Sequence, residues 1–196
     1  DASDATGNSS IDLSGEVESE IEGAFCHLGQ GGSAAGPLDL QFLQDVTGSF
    51  ADDIAMVRGL VPQIVAALQA VQPDSTYGVS SFRDKPIGAF GGAGDWVYRQ
   101  ETTLSKDTTS LTGAYTAMVA SNGADAPEAQ IEALMQLSLH VTDIGFRTNS
   151  ARFVVLFTDA PFHAAGDGAA AGILTPNDGD AVMDGTPAGT GEDNPL

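Results

Sequence analysis

Only one cysteine, Cys26, occurs in the 196 residues, so no disulfide can form within the chain. Its expected role is a small buried apolar group rather than a reactive thiol. Basic residues are almost as scarce. Seven Lys and Arg stand against 27 Asp and Glu, a formal charge of −20. Such a charge repels nucleic acid and anionic membranes and attracts cations; it also fits a surface adapted to solubility or salt. No apolar run reaches the length of a membrane span, and no signal peptide stands at the start, so neither membrane insertion nor nucleic-acid binding is expected. No Gly-x-Ser-x-Gly elbow occurs, and no pair of histidines has zinc spacing. His27 lies in a weakly patterned segment, His140 falls on a helix, and His163 reads as a loop-packing or hydrogen-bonding residue. Catalysis is not expected.

What is present is an apolar fraction of 42%, enough for one well-buried core. Residues 1–36 are poor in large apolar side chains. They hold a short alternation at Ile11–Leu13, an ambiguous stretch at 16–21 and an Asn8-Ser9-Ser10 sequon. The Gly-rich run from Gly29 to Pro37 reads as a linker, which places a domain boundary between 1–36 and 37–196. Beyond it, 38–44 reads as a buried strand. From Asp52 an apolar face at Ile54, Val57, Val61, Ile64, Val65, Leu68 and Val71 predicts a helix, with Pro62 as a potential kink. A strand follows at Tyr77–Phe82. Ile87–Phe90 and 96–104 flank the Gly91–Asp95 turn as arms of a hairpin. Helices are predicted over 108–120 and from Pro127, with Asp125 near the cap and Gly145 as terminator. Phe153–Phe157, five consecutive apolar residues, predicts a strand buried on both faces. After Asp167 the pattern is loop with at most a short helix or strand. Strands alternating with helices imply an α/β fold with a mainly parallel sheet.

Such sheets carry ligand sites at the carboxyl ends of their strands. The first strand ends at Asp45, with hydroxyls at Thr47 and Ser49 and carboxylates at Asp52 and Asp53. Asp159 closes the last strand, Asp84 lies just past the second, and Asp125 and Glu128 stand at a helix mouth. Carboxylate and hydroxyl oxygens are the ligands that Mg²⁺ and Ca²⁺ prefer. The Asp52-Asp53 pair also suits a helix N-terminus, so capping and ligation are both open there.

Five segments in order carry a family resemblance: Asp45-Val46-Thr47-Gly48-Ser49, Asp52-Asp53, Phe82-Arg83-Asp84-Lys85-Pro86, Asp125-Ala126-Pro127-Glu128, and Thr158-Asp159-Ala160-Pro161-Phe162-His163 continuing to Pro176-Asn177-Asp178-Gly179. With them the chain from Pro37 resembles the integrin beta-subunit I-like domain of the von Willebrand factor A superfamily, as a non-animal relative. The resemblance implies a Rossmann-like domain and three cation sites. Asp45, Thr47, Ser49 and Glu128, supported by Asp159, would hold Mg²⁺ at a metal-ion-dependent adhesion site. Ser49 through its carbonyl, Asp52 and Asp53 would hold Ca²⁺ beside it. Asp84, Asp125, the Pro127 carbonyl and Glu128 would hold a second Ca²⁺. Asn122 would assist there, because Gly123 occupies the place of the family's asparagine.

The resemblance further implies an extracellular or cell-surface adhesion module. Its open Mg²⁺ position would accept an Asp or Glu carboxylate from a partner protein, with self-assembly also open. The alternative is a metal-stabilised structural subunit of an extracellular assembly; a metal-dependent phosphohydrolase is a weaker third reading. The cysteine-bridged specificity loop of animal integrins is absent. The family pattern continues beyond Gly179 with further strands and helices, so the domain is expected to be truncated at its C-terminus.

Overall fold

The structure is a computed structural model that describes residues 36–164, 166–173, 177–185 and 188–189. The expectations at 11–13 and 16–21, the sequon, Cys26, His27, most of the linker and Pro176 lie outside these residues. The described residues belong to one compact unit.

The central strand β1, Leu38–Asp45, is buried at all eight positions. It pairs in parallel with β2, Ser75–Phe82, on one side and with β4, Ala151–Phe157, on the other. A two-residue strand, β3, Arg99–Gln100, runs antiparallel to β2, giving the order β3-β2-β1-β4. The sheet is therefore mainly parallel, as the alternation of strands and helices implies.

Side chains of β1 alternate between two packed faces. On one face Phe42 meets Tyr115 edge-on at 6.2 Å and stacks on Phe157 at 5.9 Å. On the other, Leu43 joins Phe82, Tyr98, Ala133, Leu137 and Ile144. Each fully buried side chain of this kind contributes about 1.5–3 kcal/mol.

Helix α1, Ile54–Val71, buries Ile54, Val57, Val61, Val65 and Leu68 of the predicted stripe, while Ile64 is half-buried and Val71, at the last turn, is exposed. At 18 residues it is long and apolar enough by composition to cross a membrane, which corrects the reading that no apolar run reaches that length; in the fold its apolar stripe belongs to the core. The helix runs unbroken through Pro62, whose ring is exposed. Helix α2 is Thr109–Ala117 and contributes Leu111 and Tyr115 to the core. Helix α3 is Gln130–Leu139, and a single turn, α4, Val141–Ile144, ends at Gly145 with φ 92°. A 3-10 turn at Asp167–Ala171 follows β4 and its loop.

Three local expectations are corrected. β4 is not buried on both faces: it lies at one end of the sheet, and its first four residues are exposed, Phe153 and Val154 among them. The predicted hairpin is not formed. Only Arg99 and Gln100 pair, with β2, while 87–95 folds into turns closed by the Gly92 N–H donating to Asp95 Oδ2 at 2.7 Å. The helix expected from Pro127 begins at Gln130 instead, because Glu128 forms a parallel bridge with Phe162.

The register puts Asp45 level with Phe82 and Gln44 level with Phe157. The loops that leave β1, β2 and β4 therefore start at one edge of the sheet, where the acidic residues collect.

Candidate metal centre

Asp45 is fully buried at the end of β1. The Thr47 backbone N–H and Oγ1 both donate to Asp45 Oδ1, at 2.9 and 2.6 Å. Thr158 Oγ1, from the end of β4, donates to Asp45 Oδ2 at 2.8 Å. Burial raises the Asp45 pKa although these hydrogen bonds pull it down, and the charge of Asp159 adds to the rise. Thr47 Oγ1 lies 3.1 Å from Ser49 Oγ, which donates to Asp159 Oδ1 at 3.0 Å. Four of the predicted central residues, from two neighbouring strand ends, thus form one continuous chain of oxygens.

Glu128 completes it from a third segment. Its backbone N–H donates to the Pro161 carbonyl at 2.9 Å, and its carbonyl accepts from the His163 N–H at 3.2 Å. These bonds tie it to the loop after β4. The side chain is 3% exposed, and its Oε2 has no hydrogen-bond partner. Burial, then the charges of Asp84 and Asp45, push its pKa up to about 9. A buried carboxylate facing other carboxylates is a costly arrangement that a proton or a divalent ion relieves. Glu128 thus feels the charges of both Asp45 and a second acidic group.

That second group is Asp84, Asp125 and His163, whose ligand atoms all lie within 4.8 Å of one another. Asp84 is fully buried; its Oδ1 accepts the Lys85 N–H at 2.7 Å and lies 3.1 Å from His163 Nε2. The Asp125 pKa is pushed up to about 6 by burial and by Asp84, with His163 pulling the other way. For His163 burial opposes protonation, but Asp84 and Asp125 outweigh it and its pKa is raised.

The remaining predicted residues stand differently. Asp53 occupies the N-cap position of α1 without a side-chain capping bond. Asp52 is exposed and ends the 3-10 turn Ser49–Ala51. Pro127 lies in the loop beside Glu128. Asn122 serves through its backbone: φ is 69°, and its carbonyl accepts the Gly48 N–H at 2.7 Å. Among the described residues no hydrogen bond joins its side chain to Asp84 or Asp125. At Gly123, φ is 71° and a Cβ would sit 2.9 Å from Glu128 Oε1, so Gly123 leaves the room that this carboxylate occupies.

Two residues that matter here were not assigned a site role from sequence. His163, read as a loop-packing or hydrogen-bonding residue, is 3% exposed, lies tilted against the Phe90 ring at 4.4 Å and hydrogen-bonds with Asp84. Arg83 donates to the carbonyls of Val46, Gly94 and Val119 and to Ser121 Oγ, at 2.9–3.2 Å. It pairs with Asp95 at 3.6 Å and lies 4.1 Å over Trp96. One buried cation thereby binds the loops that carry the site. Its signal was its place inside the Phe82–Pro86 segment.

A family model described as the integrin beta chain VWA domain matches residues 33–190. Integrin beta-2 of Ovis canadensis is 31% identical over 160 residues, covering 73% of this chain and 21% of that protein. Integrin beta-PS of Drosophila melanogaster is 29% identical over 160 residues, covering 75% and 19%. The chain spans about a fifth of the length of these relatives. Among solved structures, proximal thread matrix protein 1 of the mussel byssus aligns with a TM-score of 0.49 at 19% identity, over 68% of this chain and 33% of that one. That likeness is too loose to bear on function.

Proposed function

Because the chain belongs to the integrin beta chain VWA domain family, we propose that it is an extracellular or cell-surface adhesion module that captures an acidic side chain of a partner protein through a divalent cation. The observation that carries this reading is Glu128. Its carboxyl group is buried, has one oxygen without a partner and faces the charges of Asp84, Asp45 and Asp125. The fold keeps there a group that a cation would satisfy, beside hydroxyls and carboxylates that are the donors hard ions take.

Asp45, Thr47, Ser49 and Glu128, with Asp159 in support, would hold Mg²⁺. Ser49, Asp52 and Asp53 would hold a neighbouring Ca²⁺. Asp84, Asp125, Pro127 and Glu128 would hold a third cation, with Asn122 contributing backbone support. Bound there, the Mg²⁺ supplies a Lewis-acidic position for a carboxylate. The chain's own residues do the rest. Thr47 and Thr158 orient Asp45, Ser49 links the β1 loop to Asp159, and Arg83 fixes the surrounding loops. Phe162, 58% exposed and bridged to Glu128, offers an apolar contact beside the captured side chain. A cationic rim on a chain of charge −20 gives acidic ligands a local reason to approach an otherwise repulsive surface.

Calorimetric titration with Mg²⁺ and Ca²⁺, followed by an acidic peptide, tests this. Asp45→Ala is expected to abolish Mg²⁺-dependent peptide binding while circular dichroism stays native. Unfolding on chelation, with no peptide bound under any cation, would favour a purely structural role for the metal.

A further inference from the structure

The loop between α2 and α3 carries the chain's one Asn-Gly pair, Asn122-Gly123. Both residues are left-handed, at φ 69° and 71°, and Asn122 is the sole non-glycine with positive φ among the described residues. Asparagine tolerates that region because its short amide can bond locally. Here the amide is exposed instead. Among the described residues, neither the Asn122 side chain nor the Gly123 N–H has a hydrogen-bond partner.

The backbone on either side is pinned. The Ser121 N–H donates to the Val46 carbonyl at 2.9 Å, and the Ala124 N–H to the Phe90 carbonyl at 2.8 Å. Between these pins the Asn122 carbonyl accepts the Gly48 N–H at 2.7 Å. A Cβ at Gly48 would lie 2.9 Å from that oxygen, so the two backbones touch there with no side chain between them. The loop after β1 is thus latched at Gly48, between Thr47 and Ser49.

We infer that Asn122 is a self-modification site, where the chain converts its own asparagine to isoaspartate and so releases the loop after β1. The inference stands apart from the cation reading, since the reaction needs neither a metal nor a partner.

The chemistry uses only the chain and water. The Gly123 backbone nitrogen loses its proton to solvent base and attacks the Asn122 side-chain amide carbon. A carbon–nitrogen bond forms, and Nδ2 leaves as ammonia, giving a succinimide ring. Water then opens the ring at either carbonyl. Opening at the former backbone carbonyl gives isoaspartate, with Cβ and Cγ in the main chain and the old carbonyl left as a free carboxylate. Opening at the other gives aspartate. Either way an amide and water become a carboxylate and ammonia.

The other described asparagines are worse placed. Glycine presents its nitrogen with no side chain to block the approach, whereas Asn149, also exposed, is followed by Ser150. Asn177 is held at both ends of its amide: Nδ2 donates to Glu132 Oε2 at 2.7 Å, and Oδ1 accepts the Gly179 N–H at 2.8 Å. At Asn122 the bond to break before the residue can rotate for attack is the one from Gly48. The consequence falls on the same bond. In isoaspartate the acceptor of the Gly48 N–H has left the main chain, while the pins at Ser121 and Ala124 hold the lengthened path at its ends.

The test is ageing of the whole chain in mildly alkaline buffer, read by peptide mass mapping, isoaspartyl methyltransferase labelling and NMR amide exchange. Isoaspartate is expected at Asn122 before it is detectable at Asn149 or Asn177. The Gly48 amide is expected to exchange faster in the aged chain than in the fresh one. Asn122→Gly suits the left-handed backbone and has no amide to lose, so it is expected to age with no change at Gly48. Mass mapping of the wild type needs no variant, so a misfolded Asn122→Gly does not disable the test. Conversion at Asn122 no faster than at Asn149 would overturn the inference. So would unchanged Gly48 exchange in the aged wild type, or an equal change in aged Asn122→Gly.

Discussion

At residue scale the molecule concentrates its cost at Glu128. Its carboxyl is pushed from an ordinary 4.5 up to about 9, by burial first and then by the charges of Asp84 and Asp45. A folded value above the unfolded one means that folding favours the protonated group. The stability it contributes is full below about 4.5 and is lost as pH rises toward 9. Asp125, pushed up to about 6, adds a loss of the same sign between its ordinary 3.8 and that value. In chelator, the melting temperature is therefore expected to fall between pH 5 and pH 9, and Glu128→Gln to flatten that fall. Saturating divalent cation removes it by replacing the proton. Melting curves at three pH values, with and without cation, check this. Gly123 gives a second prediction. Gly123→Ala places a Cβ in a left-handed conformation, costing about 1–2 kcal/mol, and drives it against Glu128 Oε1. Reduced denaturant stability together with weaker Mg²⁺ binding is the expected result. The hydroxyls and carboxylates at 45–53, 84, 125, 128 and 159 were legible as candidates because a motif and its acidic residues recur in order along the chain. His163 was not, because its partner Asp84 lies 79 residues away and no local spacing announces that pairing.

At the scale of elements, helix α1 and strand β1 were legible from periodicity and apolar runs. The state of β4 was not. Five consecutive apolar residues fit a strand covered on both faces, but burial depends on the strand's place in the sheet, and β4 lies at an end. Val154→Lys, at a position 40% exposed, is thus expected to change stability by less than about 0.5 kcal/mol, whereas Phe42→Ala in the core costs about 3–5 kcal/mol. Far from the acidic edge, the opposite ends of the strands are tied by Asp39. Its carboxylate accepts from Thr76 and Ser150 at 2.6 Å each, and from the Arg147 backbone N–H and Nε at 2.6 and 2.7 Å. Burial would raise its pKa, but these bonds win and hold it below the ordinary value. Its contribution is present above about 3.8 and is lost on acidification. Removing it takes the shared acceptor from Thr76, Ser150 and the Arg147 backbone N–H, while the Arg147 guanidinium keeps Asp74 and the Leu38 carbonyl, so Asp39→Ala is expected to cost about 1–3 kcal/mol. Urea unfolding at neutral pH measures it.

At the scale of the whole molecule, a charge of −20 opposes compaction. Added NaCl should raise the melting temperature modestly through screening. Mg²⁺ or Ca²⁺ at the same ionic strength should do more, because a ligand at about a hundred times its Kd adds about 2.7 kcal/mol. The gap between the two salts measures specific binding, and it should shrink in Asp45→Ala. Composition revealed the charge but not its distribution; the parallel register is what gathers Asp45, Asp84, Asp125, Glu128 and Asp159 at one edge.

The central claim is that a cation held by Asp45, Thr47, Ser49 and Glu128 keeps a position open for a carboxylate. Paramagnetic relaxation of the acetate carboxyl carbon, with Mn²⁺ kept below the protein concentration, reads that coordination directly. Strong relaxation in the wild-type chain, lost in a folded Asp45→Ala variant, is the expected result. Equal relaxation in the two proteins, or none in the wild type, would contradict it.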